Sequence, residues 1–327
     1  MINPQHEALK KFSYQINYAI INYIPHQLRV DDYNNIVIGG LGGSGIGGRI
    51  VKSLFAKKLP IPLECIADYT LPAFVNEKTL VILASYSGNT EETLTMYQEA
   101  KKRGSKILTL STGGKLKEHA LADGHYFLQI EGGFQPRMAL GFSLSFLIQI
   151  IAELIEQNIT PELQELVSEF AETGPFEARA KMIFDNIKSK VNSKFVVLSD
   201  GNMEPVAIRF AQQVQENAKH ECFQNVLPEM NHNVIESYYG TLNTVFFFLD
   251  SQQNDKITSR FDFLTGLLEV ENHKIVHLPI DEFNVKSVFE IIYTLDWVSM
   301  LIADHLRVDS LNVPNITSLK EFLDHSN

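Results

Sequence analysis

Short apolar runs alternate with helical segments along almost the whole chain, and this alternation limits the fold more than any other feature. The runs are rich in β-branched residues and short enough to be buried strands, while the segments between them have apolar residues at helical spacing. A first helix is predicted over residues 3–24. The predicted strands cover residues 36–38, 61–66, 80–84, 105–110, 126–130, 195–198, 222–226, 244–249 and 274–278. Strands that alternate with helices form parallel sheets with helices on both faces, so the sequence predicts an α/β protein.

The strand–helix pattern occurs in both halves of the chain, and a mostly helical stretch lies between them. We expect an N-terminal α/β domain over residues 1–157, a helical connection over 158–192 and a C-terminal α/β domain over 193–327. Each domain is expected to contain a mainly parallel sheet flanked by helices, which is a three-layer arrangement. Ligands of such sheets bind at the carboxyl ends of the strands, so the loops at those ends are the candidate sites.

A loop rich in hydroxyl groups follows the predicted strand Leu80–Ala84. Ser85, Ser87 and Thr90 lie within it, and two glutamates then open a helix whose expected N-cap is Asn89 or Thr90. Because a helix N-terminus directs free N–H groups towards a ligand, this loop predicts an anion site. A simple capped turn would explain the same residues, so the loop by itself leaves both interpretations open.

A glycine run forms a second loop between a predicted strand and a helix. It reads GGLGGSGIGGRIV over residues 39–51, and its backbone N–H groups are suited to binding an anion. The run also fits G-x-G-x-x-G from Gly43, with Glu64 placed 21 residues later, where a dinucleotide-binding protein has its ribose-binding acid. Since the pattern fits from Gly40 as well, it has little specificity, and an NAD-dependent oxidoreductase stays an alternative.

Composition and charge narrow the range of partners and compartments. The net charge of −11 argues against nucleic acid or an anionic membrane surface as the main partner. Cys65 and Cys222 are far apart and lie in apolar runs, so we expect buried free thiols in a reducing compartment. The first residues lack an apolar segment of signal-peptide length, and no apolar stretch is long enough for a bilayer, so we expect a cytoplasmic protein.

The sequence contains two weak arrangements of residues that could ligate a metal. His273 and His277 are four residues apart in a strand-like run, a spacing that separates them by about 13 Å. Glu229, His232 and Glu236 have no recognised ligand spacing. We therefore expect no metal and no cofactor.

The two loops resemble the motifs of a known family. GGSGI at residues 42–46 and SYSGNTEET at 85–93 are similar to the motifs of the sugar isomerase (SIS) domain family. Nearly the whole chain resembles one branch of that family, the bifunctional phosphoglucose/phosphomannose isomerases, through FQPRMALGF (134–142), EPVAIRFAQQVQENAK (204–219), PEMNHNVIES (228–237) and LKEFL (319–323). The resemblance implies two tandem SIS-type domains of flavodoxin-like architecture. It also implies metal-independent interconversion of glucose 6-phosphate and fructose 6-phosphate through a cis-enediolate.

This reaction requires a phosphate site, opening of the sugar ring, proton transfer between C2 and C1, and stabilisation of the enediolate. The residues expected to hold the phosphate, which the resemblance also implies, are Gly43, Ser44, Ser85, Ser87 and Thr90. The candidate base is Glu216, near the end of the predicted helix 204–219, where the negative end of the helix dipole makes a carboxylate more basic. From the residues alone Glu216 would be an ordinary solvated glutamate, and the resemblance is what favours the base.

Three further residues have candidate roles. Arg137 has apolar neighbours and is the candidate for stabilising the enediolate, the alternative being a buried ion pair. His232 is the candidate for ring opening because imidazole exchanges protons near neutral pH, although a lone loop histidine often has no such role. By resemblance, His232 enters the active site of a partner subunit, which implies a homodimer. Lys320 would approach the ring oxygen or hydroxyls of the sugar, or would be an ordinary lysine on an amphipathic helix.

One position departs from the pattern of the family. The resemblance implies a Thr-Pro pair whose hydroxyl helps the substrate rotate about C2–C3, so that both epimers present a proton to one base. Here the pair is Val313-Pro314, and valine cannot form the hydrogen bond. We therefore expect glucose 6-phosphate isomerisation to survive and mannose 6-phosphate activity to be weakened or lost.

Two other classes of function stay open. A non-catalytic SIS protein would bind a phosphosugar as a sensor, but the acidic chain has no basic DNA-binding extension. The presence of both Glu216 and His232 favours a catalytic protein over one that only binds a phosphosugar. The NAD-dependent oxidoreductase is the less favoured of the two alternatives.

Overall fold

The structure of the protein, a computed structural model, describes residues 4–239, 243–271 and 273–326. Through residue 170 its elements are α1 (Pro4–Lys10), α2 (Phe12–Ile21), β1 (Asn35–Gly39), α3 (Gly42–Phe55), β2 (Leu63–Ile66), β3 (Thr79–Ala84), α4 (Glu91–Lys102), β4 (Lys106–Ser111), α5 (Gly114–Ala122), β5 (Tyr126–Gln129), α6 (Leu140–Leu154) and α7 (Thr160–Phe170). From residue 174 they are α8 (Gly174–Ile187), β6 (Lys194–Ser199), α9 (Glu204–Ala218), β7 (Cys222–Val226), β8 (Thr244–Asp250), α10 (Asp255–Val270), β9 (Lys274–Pro279), α11 (Val285–Leu306) and α12 (Pro314–Ser326). Every predicted strand is present to within two residues at each end. The helix predicted over residues 3–24 was wrong in extent, because α1 and α2 are separate helices that meet at Lys11.

The chain divides into two compact units. The first consists of residues 10–173 with the short segment 284–286, and the second consists of residues 1–9, 174–283 and 287–327. The helices of the stretch 158–192 are shared between the units, since α7 belongs to the first and α8 to the second. In the part of the chain that the structure describes, no helix has both the length and the apolar character needed to cross a membrane.

The first unit contains a parallel sheet in which β1 lies between β2 and β3. The strand order is β2-β1-β3-β4-β5, and Ile38 of β1 pairs with Cys65 on one side and Ile82 on the other. Because the chain leaves β1 first to one side and then to the other, a crevice opens between the loops that follow β1 and β3. This order is that of a flavodoxin-like sheet, as predicted.

Helices cover both faces of the first sheet. On one face, Val81 and Leu83 of β3 pack with Met96 and Tyr97 of α4, and all four side chains are fully buried. On the other face, α3 lies so close to β1 that a Cβ on Gly48 would be 2.7 Å from Ile38 Cγ2. Burial on both faces explains why these strands are continuous apolar runs in the sequence.

The second unit repeats this arrangement with four parallel strands in the order β7-β6-β8-β9. Successive residues of β8 contact different helices: Phe247 packs edge-on against Phe210 of α9, and Phe248 packs against Phe261 of α10. Since successive side chains of a strand point to opposite faces, the sheet separates α9 from α10. Two parallel sheets flanked by helices confirm the predicted fold class.

A buried ion pair joins α9 to α11 within the second unit. Arg209 Nη2 lies 2.5 Å from Asp296 Oδ2, and the two side chains are 4% and 2% exposed. Two turns further along α9, Asn217 donates to Ser299 Oγ at 3.0 Å. Burial raises the pKa of the Asp296 carboxyl, while Arg209 and Gln213 act in the opposite direction. A buried polar group that loses its partner is costly, so these contacts fix how α9 lies on α11.

Both cysteines are free thiols. Cys222 is buried, and Cys65 is half-buried in β2. Burial raises the pKa of the Cys65 thiol to about 11 and also raises that of Cys222. The prediction of a buried free thiol is confirmed for Cys222, whereas Cys65 is only partly covered because β2 is an edge strand.

Candidate active site

The glycine run forms the turn between β1 and the first turn of α3. Ser44 lies in that turn of the helix, and its hydroxyl oxygen accepts the Tyr86 N–H at 3.0 Å. Gly43 faces the short 3₁₀ helix Pro136–Met138, since a Cβ on Gly43 would be 3.0 Å from Pro136 O and 3.6 Å from Arg137 Cα. The start of α3 is therefore in contact with both of the other candidate segments.

The hydroxyl-rich loop after β3 is held together by its own side chains. Ser85 Oγ lies 2.9 Å from Thr90 Oγ1 and accepts the Gly88 N–H at 3.1 Å. Ser87, which is exposed, accepts the Asn89 N–H at 3.2 Å. Thr90 occupies the N-cap of α4, one of the two predicted positions, but its side chain makes no capping hydrogen bond because it lies against Ser85. The first turn of α4 therefore has no side-chain cap.

Arg137 lies in the 3₁₀ helix between β5 and α6. It is 4% exposed, although its guanidinium is always charged. The sequence places this residue at the start of a helix, and in the structure the 3₁₀ helix directly precedes α6. Arg137 is thus a buried cation, and the backbone that carries it contacts Gly43.

The geometry of the first unit favours binding of an anion. The N-termini of α3 and α4 follow β1 and β3, the two strands between which the crevice opens, and helix N-termini attract anions. The hydroxyl groups of Ser44, Ser85 and Thr90 lie in these turns, and the buried Arg137 lies on backbone that contacts Gly43. Backbone N–H groups and hydroxyls at helix N-termini are the kind of donors that suit an anion such as a phosphomonoester.

The remaining predicted site residues lie on three elements of the second unit. Glu216 is half-buried near the end of α9, where Lys219 adopts a left-handed conformation and its ammonium donates to the Glu216 carbonyl oxygen. His232 ends a short 3₁₀ helix after β7 and is exposed. Lys320 lies on α12 and is also exposed.

The loop that carries His232 is anchored around it. Met230 is buried in the core beneath the second sheet, and Asn231 Oδ1 accepts a hydrogen bond from Arg260 Nη1 at 3.1 Å. Asn233 Nδ2 donates to Glu229 Oε1 at 3.2 Å. Within the described ranges, the His232 imidazole itself has no hydrogen bond or ion pair. The loop thus presents an imidazole to solvent on a fixed backbone.

The second sheet has acidic groups at the edge that corresponds to the crevice of the first sheet. Asp200 follows β6, and its carboxylate accepts the Met203 N–H at 2.8 Å and the Ser251 N–H at 3.0 Å. Asp250 ends the neighbouring strand β8. Burial raises the pKa of the Asp200 carboxyl, and the charge of Asp250 adds to the effect. Asp200 thus occupies two backbone N–H groups at this edge.

The residues considered for other ligands have ordinary structural contacts. Glu64 pairs in register with Val37 inside β2, and its carboxylate lies 2.9 Å from Lys52 Nζ. The rings of His273 and His277 pack edge-on against Phe246 and Phe248. Among the described residues, no group of three or more histidine, cysteine, aspartate or glutamate side chains is arranged to hold a metal ion.

Two residues that stabilise the site were not identified from the sequence. Tyr86 lies between Ser85 and Ser87, and its phenol reaches the segment before Arg137. Gln15 is a buried glutamine on α2 that hydrogen-bonds the turn after Arg137. The available signal for Gln15 was a polar residue three positions after Phe12, on the apolar face of a helix.

Gly88 has a backbone that no other residue can easily replace. Its φ is +69°, and a Cβ there would lie 1.8 Å from Gly113 O. We expect Gly88→Ala to reduce the free energy of unfolding by about 2–3 kcal/mol, through left-handed strain and overpacking together. Urea unfolding measures this loss.

Gly124→Ala is the matched control, because Gly124 has φ of +70° and no atom lies within 4 Å of a Cβ there. We expect this variant to lose about 1 kcal/mol of unfolding free energy. Equal losses in the two variants would contradict the role of the Gly113 contact.

The fold defines the class of the protein: a doubly wound α/β protein of two units, with a glycine-rich loop and a hydroxyl-rich loop at the switch point of its first sheet. The model of the SIS domain matches residues 31–127, and the model described as bacterial phospho-glucose isomerase C-terminal SIS domain matches residues 176–323. The two matches fall on the two sheets.

Curated relatives match over nearly the full length. A bifunctional phosphoglucose/phosphomannose isomerase of Caldicellulosiruptor bescii is 33% identical and covers 94% of this chain and 94% of its own. Another, from Aquifex aeolicus, is 32% identical over 89% of this chain and 91% of its own. The chain belongs to the family of bifunctional phosphoglucose/phosphomannose isomerases, as its motifs indicated. A solved glucosamine-6-phosphate deaminase from Thermotoga maritima has the same fold, with a TM-score of 0.67 at 19% identity over 93% of this chain and 96% of that one.

Proposed function

We propose that the protein is an aldose–ketose isomerase that interconverts glucose 6-phosphate and fructose 6-phosphate. The observation that carries the proposal is the hydroxyl-lined anion crevice beside the buried Arg137, in a chain of this family. A sugar phosphate fits such a crevice because its dianion can accept hydrogen bonds from helix N-termini and hydroxyls. The family membership supports the choice of a hexose phosphate.

We assign each chemical step to a group suited to it. The phosphate is held by backbone N–H groups at Gly43 and by the hydroxyls of Ser44, Ser85, Ser87 and Thr90. Glu216 removes the proton from C2 and returns it to C1, and the hydroxyl proton of O2 moves to O1, so that the aldose becomes the ketose and the carboxylate is regenerated in each turnover. The guanidinium of Arg137 stabilises the negative charge that develops on the enediolate oxygen, and it is always charged. The proposed reaction requires no metal.

The role of His232 involves a second copy of the chain. We propose a homodimer in which His232 opens the sugar ring in the partner's active site. An exposed imidazole on an anchored loop, with no partner among the described residues, supports this proposal. The apolar face of α12 supports it as well, because Ile316 and Leu319 are 41% and 57% exposed on the helix that carries Lys320. Lys320 is proposed to bind the ring oxygen or a hydroxyl of the sugar, in a cytoplasmic enzyme.

A coupled assay tests the proposed reaction. Fructose 6-phosphate is supplied in the presence of a chelator, and the formation of glucose 6-phosphate is followed through glucose-6-phosphate dehydrogenase. We expect turnover, and we expect fructose 6-phosphate but not NAD(H) to raise the melting temperature, since only a ligand of the native state stabilises it. Stabilisation by fructose 6-phosphate without turnover would instead favour a phosphosugar-binding protein. Stabilisation by NAD(H) alone would favour an oxidoreductase.

Val313 is proposed to limit activity on mannose 6-phosphate. It directly precedes α12, and its carbonyl oxygen accepts the Thr317 N–H at 3.0 Å, so its backbone is well held. We expect Val313→Thr to raise kcat/KM for mannose 6-phosphate about fivefold to tenfold relative to glucose 6-phosphate, the value of about one hydrogen bond. Val270→Thr is the control, since Val270 lies on α10 and is 84% exposed. An unchanged ratio in Val313→Thr would contradict the proposal.

A further inference from the structure

The segment that carries Arg137 is attached at both ends to neighbouring residues of α2. Before Arg137, Tyr14 Oη donates to Glu131 Oε2 at 2.5 Å. After it, Gln15 Nε2 donates to Met138 O at 2.7 Å, and Gln15 Oε1 accepts the Gly141 N–H at 3.0 Å. Gln15 is fully buried. Its amide therefore satisfies one donor and one acceptor of the turn that leads from Arg137 into α6.

Tyr86 connects the same segment to the anion crevice. Its phenol oxygen accepts the Phe134 N–H at 2.9 Å and donates to Glu131 O at 3.3 Å. Its backbone N–H donates to Ser44 Oγ at 3.0 Å. Burial raises the pKa of the Tyr86 phenol, which keeps the phenol protonated and able to donate. One residue thus contacts the hydroxyl of α3 and the chain three residues before Arg137.

We propose that Gln15 and Tyr86 are positioning residues that hold the Arg137 guanidinium where charge develops in the reaction. The proposal rests on the proposed function, because it assumes that Arg137 stabilises the enediolate. Neither residue is assigned a contact with the substrate. Each acts on the backbone that carries Arg137, Gln15 from the side of α6 and Tyr86 from the side of β5.

The geometry favours this role over a purely structural one. The backbone on either side of an arginine sets where its guanidinium lies, and a displacement of about 1 Å in a catalytic group can reduce a rate about a hundredfold. Only a side chain with a donor and an acceptor at the right spacing can satisfy both Met138 O and the Gly141 N–H. Methionine has a similar length to glutamine but satisfies neither, so Gln15→Met releases the turn while keeping the volume of the core.

Gln15→Met tests the first of the two residues. We expect kcat for fructose 6-phosphate to fall about tenfold or more, while the Kd for fructose 6-phosphate, measured by calorimetry, changes less than about twofold because the phosphate groups are untouched. Gln149→Met is the matched control. Gln149 is also a buried glutamine between α2 and α6, and it donates to Ala19 O at 3.1 Å, away from the Arg137 turn. It should lose stability without losing kcat.

A double-mutant cycle separates positioning of Arg137 from general damage. In an Arg137→Met background, Gln15→Met should have little further effect on kcat, since the group that it positions is absent. Independent, multiplicative effects on kcat would overturn the proposal, and so would an equal loss of kcat in Gln149→Met. If the parent turns over but Arg137→Met has no effect, the positioning role fails while the isomerase assignment stands. If the parent has no turnover, the proposed function fails first.

Tyr86→Phe provides a second and independent measurement. It removes only the phenol hydroxyl, so the backbone hydrogen bond to Ser44 persists. As for Gln15→Met, we expect kcat to be about tenfold lower while the Kd for fructose 6-phosphate stays nearly unchanged. Tyr97→Phe is the control, because the Tyr97 phenol donates to Asp123 Oδ2 at 2.8 Å, outside the crevice. A weaker Kd with unchanged kcat in Tyr86→Phe would show that Tyr86 supports the phosphate loop and would overturn its assignment to Arg137.

Discussion

Glu216→Gln is expected to lower the isomerase kcat by about 100-fold to 10,000-fold, the usual contribution of a positioned general base. Glutamine keeps the length of the side chain and its place near the end of α9, but it cannot accept the C2 proton. Binding should be largely retained, because the proposed phosphate groups lie on other residues, so fructose 6-phosphate should still raise the melting temperature. The measurement is the coupled assay on parent and variant, together with the thermal shift.

Glu221→Gln is the matched control for this prediction. Glu221 is an exposed glutamate shortly after α9, and it has no assigned role in the reaction. Its replacement should leave kcat within about twofold, since surface substitutions are usually close to neutral. Turnover in Glu216→Gln that equals the parent would remove Glu216 as the base. Loss of both turnover and ligand stabilisation would point to a binding role instead.

Arg209→Met is expected to lower the free energy of unfolding by about 3–5 kcal/mol, the cost of breaking a buried ion pair. The pair is almost fully enclosed, so the Asp296 carboxylate left behind would be buried without its cation or would have to take up a proton. Because Arg209 and Glu216 lie on the same helix two turns apart, we also expect reduced turnover in the fraction that folds. Urea unfolding followed by circular dichroism measures the loss.

The double variant Arg209→Met with Asp296→Leu separates the cost of an unpaired charge from the value of the pair. Replacement of both partners by apolar residues is often neutral or stabilising, so the double variant should recover most of the stability that Arg209→Met loses. Lys181→Met is the control for an exposed pair, since Lys181 lies 2.5 Å from Asp185 and is 66% exposed. If Lys181→Met lowered the free energy of unfolding as much as Arg209→Met does, burial would not be the reason for the large cost.

The sequence was sufficient to predict the fold because its strands are buried on both faces. A strand such as β3 is then a continuous apolar run, which stands out between helical segments. The break between α1 and α2 was not predictable in this way. The apolar spacing of Leu9, Phe12 and Ile16 continues through Lys11 without interruption, whereas the chain passes from one unit to the other at this point.

The two loops that are proposed to bind phosphate stand out in the sequence because each is one continuous stretch between a strand and a helix. Ser85 and Thr90, for example, are five positions apart and their hydroxyls are in contact. Gln15 could not be found by the same reasoning. Its partners Met138 and Gly141 are 123 and 126 residues away, and only the folded chain brings them together. The roles of Glu216, His232 and Lys320 depend on the family resemblance and stay predictions.

The acidic residues at the edge of the second sheet indicate that the two similar sheets have different roles. Asp200 follows β6 and Asp250 ends β8, and by strand register the first sheet has Gly40 and Ala84 at the corresponding positions. We expect one sugar phosphate to bind per chain despite the repeated architecture, because Asp200 already accepts the Met203 and Ser251 N–H groups that an anion would need at this edge. The second sheet then serves as a support for α9, the helix that carries Glu216.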